Sequence, residues 1–195
     1  MKSLRNAGIA ILVGLIFGAV SFVRVLIKII PQLGNEQAIN ESISSLMSAP
    51  LVVVGLIISI TVAILVLQGF LKLGKKFNNN LLIKVSWLIA ILSIANSLIS
   101  NIPLLNSNNP LDITGNTKFA IGFLVLYGIL TLLLGVSLLK IKQKIKLAKP
   151  VGILNIIIGA AFITFILSPI GFLIYLVNLI ITSVMFFKAS KQFKE

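Results

Sequence analysis

Lys140-Ile-Lys-Gln-Lys-Ile-Lys-Leu-Ala-Lys149 decides how the rest of the chain is arranged, because it holds five lysines and no acid. Apolar runs long enough to enter a bilayer flank this stretch on both sides. Short loops rich in lysine and arginine stay on the cytoplasmic face of a membrane. This stretch, which we call the lysine loop, is therefore predicted to lie inside, and the other segments can be threaded from it.

The composition is that of an integral membrane protein. Of the 195 residues, 58% are hydrophobic and only 11% are charged, whereas soluble domains average about 45–50% apolar and about 25% charged residues. The net charge is +13, but the lysines stand in loops between apolar runs, as orientation in a membrane requires. We therefore predict a multi-pass protein of the cell membrane that contacts membrane lipids and has no nucleic-acid partner.

Six spans fit the apolar runs, since roughly 20 residues cross the hydrocarbon core. The predicted spans are 7–30, 50–71, 81–102, 119–139, 151–167 and 169–187. The last two belong to one run that is too long for a single crossing. The stretch Ser168-Pro169-Ile170-Gly171 is predicted to divide this run into a tight hairpin. Ser168 would cap the following helix, and Pro169 would lie in the first turn of that helix. A signal peptide is the less favoured alternative for the first span, because apolar sequence continues to Ile30.

The distribution of charge favours six crossings over five. With six, all 17 basic residues except Arg24, Lys28 and Lys118 fall on the cytoplasmic side. With five, the basic tail at 188–194 would lie on the wrong side. The expected fold class is therefore all-α, and residues 1–195 form a single domain. This domain is one bundle of six transmembrane helices with both termini cytoplasmic.

Two polar connections are predicted outside, and they contain three of the four acids, Glu36, Glu41 and Asp112. In the first, Asn35 could cap a short helix that lies on the membrane interface. The same connection contains Asn40-Glu41-Ser42, a glycosylation sequon whose use the sequence leaves open. The second, 103–118, is rich in turn residues. On the inner side, Asn78-Asn79-Asn80 is predicted to turn the chain between the second and third spans.

Missing residue types narrow the possible chemistry. The chain has no histidine and no cysteine, which excludes disulfides, His or Cys metal sites and His- or Cys-based catalytic triads. The four acids lie outside the apolar runs, so a carboxylate proton relay at membrane depth is excluded as well. We predict no enzyme activity, no metal and no cofactor.

Two charged residues lie within the first span. Arg24 and Lys28 are four residues apart and share one helical face. They either anchor the outer end of the span by reaching the interface, or form a contact for an anion or a lipid headgroup. Pairing with Glu36 or Glu41 is a further alternative.

Neutral polar residues recur along one face of the third span and one face of the sixth, and the second and fifth spans add others. The candidate residues for a polar cavity are Ser93, Asn96, Ser97, Asn155, Tyr175 and Asn178. Such side chains either join helices by hydrogen bonds, at about 0.6 kcal/mol each, or surround a cavity that holds a neutral solute. The sequence leaves both alternatives open.

Small residues at regular spacing predict close helix contacts without naming the partner. They are Ala10, Gly14 and Gly18 on the first span, Gly128 and Gly135 on the fourth, and Gly152 and Gly159 on the fifth. The first-span series could serve the bundle or a second chain.

The stretches 68–81 and 171–187 resemble uncharacterised multi-span membrane families known mainly from archaea, and this resemblance implies a prokaryotic source. In size and span number the chain is also similar to the substrate-binding membrane components of vitamin uptake systems. Two functions are therefore expected. The first is a non-enzymatic accessory or structural subunit that packs against other membrane helices, of another protein or of a second copy. The alternative is a protein that binds or transports a small solute in a neutral polar cavity.

Overall fold

The computed structural model describes residues 2–32, 49–106 and 117–193, and every regular element in these ranges is helical. The six α-helices are α1 (Lys2–Ile29), α2 (Ala49–Lys76), α3 (Asn80–Asn106), α4 (Thr117–Leu139), α5 (Ala148–Ile163) and α6 (Ser168–Gln192). A short 3-10 helix, Ile30–Gln32, continues α1. The predicted all-α fold class is confirmed.

Five of these helices, all except α5, are long and apolar enough to cross a bilayer. α5 is also apolar but has only 16 residues. At 1.5 Å per residue it is about 24 Å long, less than the roughly 30 Å of a hydrocarbon core. The length and composition of the helices indicate a membrane-embedded protein.

The six helices form a closed ring. Each helix packs against its neighbours in the chain, and the ring closes where α1 packs against α6. At this contact the Ser183 hydroxyl donates a hydrogen bond to the backbone carbonyl of Gly8, at 2.9 Å. All six described helices belong to this ring and line one cavity, so the ring surrounds a central space instead of a central helix.

The packed core lies at one end of the ring, which we call the lysine end. The start of α1, the α2–α3 turn, the lysine loop and the last turns of α6 meet there. The core side chains come from all these segments: Leu4, Ala7, Ile11, Phe70, Leu73, Leu82, Val85, Leu134, Leu138, Ile141, Ile145, Ala148, Val151, Met185, Phe186 and Ala189. The opposite end of the ring, which we call the far end, contributes none of its described residues to this cluster.

The lysine loop has two sides. Ile141 and Ile145 are buried in the core, while Lys140, Lys142 and Lys144 are exposed. The Ile145 N–H donates to the Ile141 carbonyl at 3.2 Å, so this part of the loop is one helical turn. Residues four apart lie on the same face of such a turn. The loop therefore closes the lysine end with its isoleucines and exposes its lysines.

The predicted turn at Asn78-Asn79-Asn80 is confirmed. Asn78 adopts a left-handed conformation with φ of 50°, which asparagine tolerates better than most residues. The Asn79 side chain accepts a hydrogen bond from the Leu82 N–H at 3.1 Å, as an N-cap of α3 does. Its amide also donates to the carbonyl of Ser137 at 2.8 Å. Asn79 therefore begins α3 and joins it to α4.

The predicted hairpin near Ser168 is confirmed, but its cap was assigned wrongly. α5 ends at Ile163 and α6 begins at Ser168, with Leu167 as N-cap and no hydrogen bond from a capping side chain. The chain reverses earlier because Phe165 adopts a left-handed conformation with φ of 57°, so Ser168 is already helical. Pro169 lies in the first turn, as predicted.

Several helices extend beyond the predicted spans. α1 begins at Lys2, and α3 continues through Pro103 to Asn106. Proline removes a single backbone hydrogen bond, which a helix tolerates more easily near its end than in its middle. The predicted cap at Asn35, the sequon at Asn40 and the acids Glu36, Glu41 and Asp112 lie outside the described residues.

Candidate ligand cavity

The ring encloses a cavity of ≈ 1140 Å³, to which all six helices contribute side chains. Ile11, Phe70 and Leu134 belong both to its lining and to the packed core, so they form its floor. Pockets for drug-sized ligands have volumes of about 300–1,000 Å³. The cavity is therefore large enough for a small molecule.

The cavity lining is mostly apolar, and none of the described residues that line it carries a charge. Its polar side chains gather mainly on one side, on α4, α5 and α6. We call this side the polar wall, and it consists of Tyr127, Thr131, Asn155, Tyr175, Asn178 and Thr182. The opposite side, on α1 and α2, is apolar apart from Ser59 and includes three glycines.

Two members of the polar wall use their donors within their own helix. The Thr131 hydroxyl donates to the Tyr127 carbonyl at 2.8 Å, and the Asn155 amide donates to the Val151 carbonyl at 2.8 Å. Bonds to the carbonyl four residues earlier satisfy a polar group without a partner helix. These side chains therefore do not need each other, and each still has an oxygen with acceptor capacity.

The side chains of Tyr127 on α4 and Tyr175 on α6 approach each other. The hydroxyl oxygens of Tyr127 and Tyr175 are 3.4 Å apart, which is longer than the typical 2.7–2.8 Å of a bond between hydroxyls. One such contact uses the proton of one hydroxyl only. The other hydroxyl therefore keeps a proton that it can donate to a molecule in the cavity.

Asn178 is the least satisfied member of the polar wall. The residue is 3% exposed, and its side-chain oxygen is buried without a hydrogen-bond partner. A buried acceptor without a donor costs about 1–3 kcal/mol. Asn178 lines the cavity, so a rotation of its side chain that turns this oxygen toward the cavity would let a molecule with an O–H or N–H group supply the missing donor.

The cavity opens to the side, between α1 and α6, toward the far end. The lining residues Phe22 and Leu173 are 63% and 67% exposed. Five large side chains both line the cavity and are exposed at the surface, and we call them the mouth. They are Ile16, Phe22, Leu173, Leu176 and Ile180. All five side chains are apolar.

Four of the six side chains predicted for a polar cavity line the observed one. They are Ser93, Asn155, Tyr175 and Asn178. Asn96 and Ser97 are half-buried outside the lining, because Ser93 is the last α3 residue that the cavity reaches. The Ser97 hydroxyl lies 2.5 Å from the Ser59 hydroxyl and joins α3 to α2. A role for any of these residues in ligand binding stays a prediction.

Sequence reasoning missed Tyr127 and Thr131, which lie in the middle of the predicted fourth span. Their spacing of four residues was the available signal, since it places both side chains on one face of a helix. Arg24 and Lys28, the predicted anion or lipid contact, are exposed on α1 toward the far end and do not line the cavity. Their proposed contact with lipid or an anion stays a prediction.

No protein-family model, curated protein or solved structure matches this chain.

Proposed function

We propose that the chain is a non-enzymatic membrane protein that binds a small neutral molecule in the cavity among its helices. The observation that carries this proposal is the cavity itself, ≈ 1140 Å³ in volume, with uncharged hydrogen-bonding groups on one wall. Sites for small molecules are typically concave and mostly apolar, with a few polar groups that fix the orientation of the ligand. The apolar lining and the polar wall have this character.

A role in packing against other membrane proteins is the second candidate. The α1 side chains toward the far end are exposed almost all round, and lipid or a partner helix can cover them. However, part of the small-residue series on α1 is used within the chain. A Cβ on Gly14 would lie 3.4 Å from a Val62 methyl group on α2. This residue serves the bundle, which weakens the argument for a second chain at that position.

We infer that the ring crosses the membrane six times with its lysine end in the cytoplasm. The lysine loop, the α2–α3 turn and the end of α6 gather their exposed lysines at that end, as the positive-inside rule requires. α5 is short, and the exposed tip of its hairpin, Phe165-Ile166-Leu167, is wholly apolar. This tip fits a position within the hydrocarbon of the outer leaflet.

Cysteine labelling tests this topology, because the chain has no cysteine of its own. With a membrane-impermeant maleimide, Pro31→Cys should be labelled in intact cells. Lys142→Cys and Lys188→Cys should be labelled only after the cells are permeabilised. Labelling of Lys188→Cys in intact cells, with Lys142→Cys protected, would support five crossings instead.

A thermal-shift screen of the purified protein in detergent tests ligand binding. The screen should contain neutral water-soluble solutes and neutral long-chain amphiphiles, and we expect at least one compound to raise the melting temperature in a saturable manner. Thr182→Val, in the polar wall, should weaken that response. Thr61→Val makes the same change at an exposed position outside the lining and should leave it unaltered. A stable partner chain that co-purifies, with no response to any compound, would favour the accessory-subunit role.

A further inference from the structure

We propose that the ligand is a neutral amphiphile of the bilayer, with a hydroxyl or amide N–H at one end and an apolar chain at the other. It enters sideways through the mouth between α1 and α6. This inference rests on the proposed ligand-binding function and specifies the class of ligand and its route.

α1 and α6 touch near the lysine end and lie apart toward the far end. Near the lysine end the two helices touch, since a Cβ on Gly8 would lie 3.1 Å from the Ser183 carbonyl. Farther along, α1 stays with α2, where a Cβ on Gly55 would lie 3.7 Å from the Phe17 ring. α6 instead packs on α5, with the Phe172 and Phe162 rings 4.9 Å apart. The two helices thus have different partners toward the far end, and the mouth lies between them.

The unequal height of the helices enlarges this opening. From the contact between Gly8 and Ser183, α1 rises about 32 Å to Ile29, whereas α6 rises only about 22 Å to Ser168. Gly18 lies on α1, the helix that extends farther, and a Cβ there would meet nothing within 4 Å. The absence of a side chain on Gly18 leaves space beside the mouth that an apolar chain can occupy.

The side chains of the mouth decide which kind of molecule can enter. The mouth offers apolar side chains only, so a water-soluble solute would find no hydrogen-bond partner on the way in. At the depth of these helices the surrounding medium is hydrocarbon, which dissolves an apolar chain. Within 2–32, 49–106 and 117–193 no lining residue is charged, so an ionised head group would find no opposite charge there, at high cost. The route therefore favours a neutral molecule that already resides in the bilayer.

The polar wall decides which head group the cavity favours. The oxygen of Asn178 is a buried acceptor without a donor. An alcohol or an amide N–H satisfies it, whereas an ether or an ester cannot donate. The nearby pair Tyr127 and Tyr175 has one hydroxyl proton to spare for the oxygen of the same head group. A head that both donates and accepts hydrogen bonds fits this wall best.

The probes that test this are 1-hexadecanol and its methyl ether, presented in nanodiscs that contain the full chain. The two molecules share the apolar chain, but only the alcohol can donate a hydrogen bond. We expect the alcohol to raise the melting temperature and to bind about tenfold more tightly than the ether, which corresponds to about 1.4 kcal/mol. In Asn178→Leu this tenfold difference should disappear. If that variant does not fold, Tyr127→Phe combined with Tyr175→Phe should weaken binding of the alcohol and of the ether alike, because the tyrosine proton is donated to an oxygen that both molecules have.

The route is tested by Gly18→Phe, which adds a ring where there is open space. We expect 1-hexadecanol to associate about tenfold more slowly, because a blocked route lowers the rate of entry, with a normal melting temperature in the absence of probe. Gly122→Phe is the matched control, because Gly122 also has open space but does not line the cavity. Equal association rates in the wild type and Gly18→Phe would overturn entry through the mouth.

The outcomes separate this inference from the function on which it rests. Saturable stabilisation by a water-soluble solute such as glucose, with no response to 1-hexadecanol, would overturn the amphiphile but leave the ligand-binding function standing. Equal affinity for the alcohol and the ether in the wild type would overturn the requirement for a donor. No response to any soluble or amphiphilic compound would overturn both proposals.

Discussion

Gly135 of α4 and Gly152 of α5 lie against each other so closely that a Cβ on Gly135 would stand 2.5 Å from the Gly152 carbonyl oxygen. Gly128 and Gly159 repeat this relationship two turns away, where a Cβ on Gly128 would stand 2.9 Å from the Gly159 carbonyl oxygen. Small residues allow membrane helices to approach at backbone distance. The two glycine pairs therefore hold α4 and α5 as one unit, and this unit carries Tyr127, Thr131 and Asn155 of the polar wall.

Gly135→Ala is expected to lower the free energy of unfolding by about 1–3 kcal/mol, the usual cost of overpacking. The added methyl group would meet the backbone of α5, which cannot turn aside as a flexible side chain can. Denaturant-induced unfolding in mild detergent, followed by helical circular dichroism, measures the change. Gly122→Ala on the same helix has open space around it and should not destabilise. If both variants unfold alike, close contact between α4 and α5 is not what Gly135 provides.

Asn79→Ala is expected to destabilise the protein by about 1–3 kcal/mol. The change removes an N-cap, worth about 1 kcal/mol, and leaves the buried Ser137 carbonyl without its donor. Asn80→Ala, at the exposed next position, should have little effect. Thermal unfolding of both variants in the same detergent compares them. A larger loss for Asn80→Ala would show that the turn is stabilised by another residue.

Phe165→Gly is expected to be more stable than Phe165→Ala by about 1 kcal/mol. Phe165 has a positive φ, and a left-handed conformation costs a residue with a Cβ roughly 1–2 kcal/mol. Glycine escapes this cost but loses more chain entropy on folding, about 0.5–1 kcal/mol. Both variants remove the exposed ring, so their difference reports the backbone. Equal melting temperatures would mean that the turn relaxes away from the left-handed conformation.

Arg24→Leu combined with Lys28→Leu is expected to reduce the number of anionic lipids retained after purification, with the helical content unchanged. Both side chains are exposed on the same stretch of α1, and guanidinium and ammonium groups bind phosphate. Native mass spectrometry counts the retained lipids. The double change Arg24→Lys with Lys28→Arg preserves the charge and should retain them. Unchanged retention in the leucine variant would mean that the pair serves only to anchor α1 at the interface.

Local chemistry explains which features of the fold were predictable. The turn at Asn78-Asn79-Asn80 and the hairpin near Pro169 were found because turn residues and proline act on their own neighbourhood. The cap assigned to Ser168 was wrong, because the left-handed conformation of Phe165 moved the reversal of the chain toward α5. No local pattern marks a phenylalanine for that conformation.

The candidate site was predictable mainly where polar side chains formed stripes. Ser93, Tyr175 and Asn178 belong to such stripes and line the cavity. Asn155 was predicted as a single polar residue of its span, whereas Tyr127 and Thr131 are an isolated pair on an apolar helix. Asn96 and Ser97 continue the α3 stripe beyond the cavity. A stripe shows which side of a helix is polar, but the depth of the cavity depends on where neighbouring helices separate.

The sequence by itself determined the helical fold class, an apolar composition suited to a membrane, and the exclusion of histidine and cysteine chemistry. These properties depend on residue types and on spacing within single segments. Only the tertiary structure decided that Gly135 faces Gly152, that the isoleucines of the lysine loop close one end, and that α1 and α6 part to leave a mouth. Each of these is a contact between segments distant in the chain, and its energy depends on how the helices pack together.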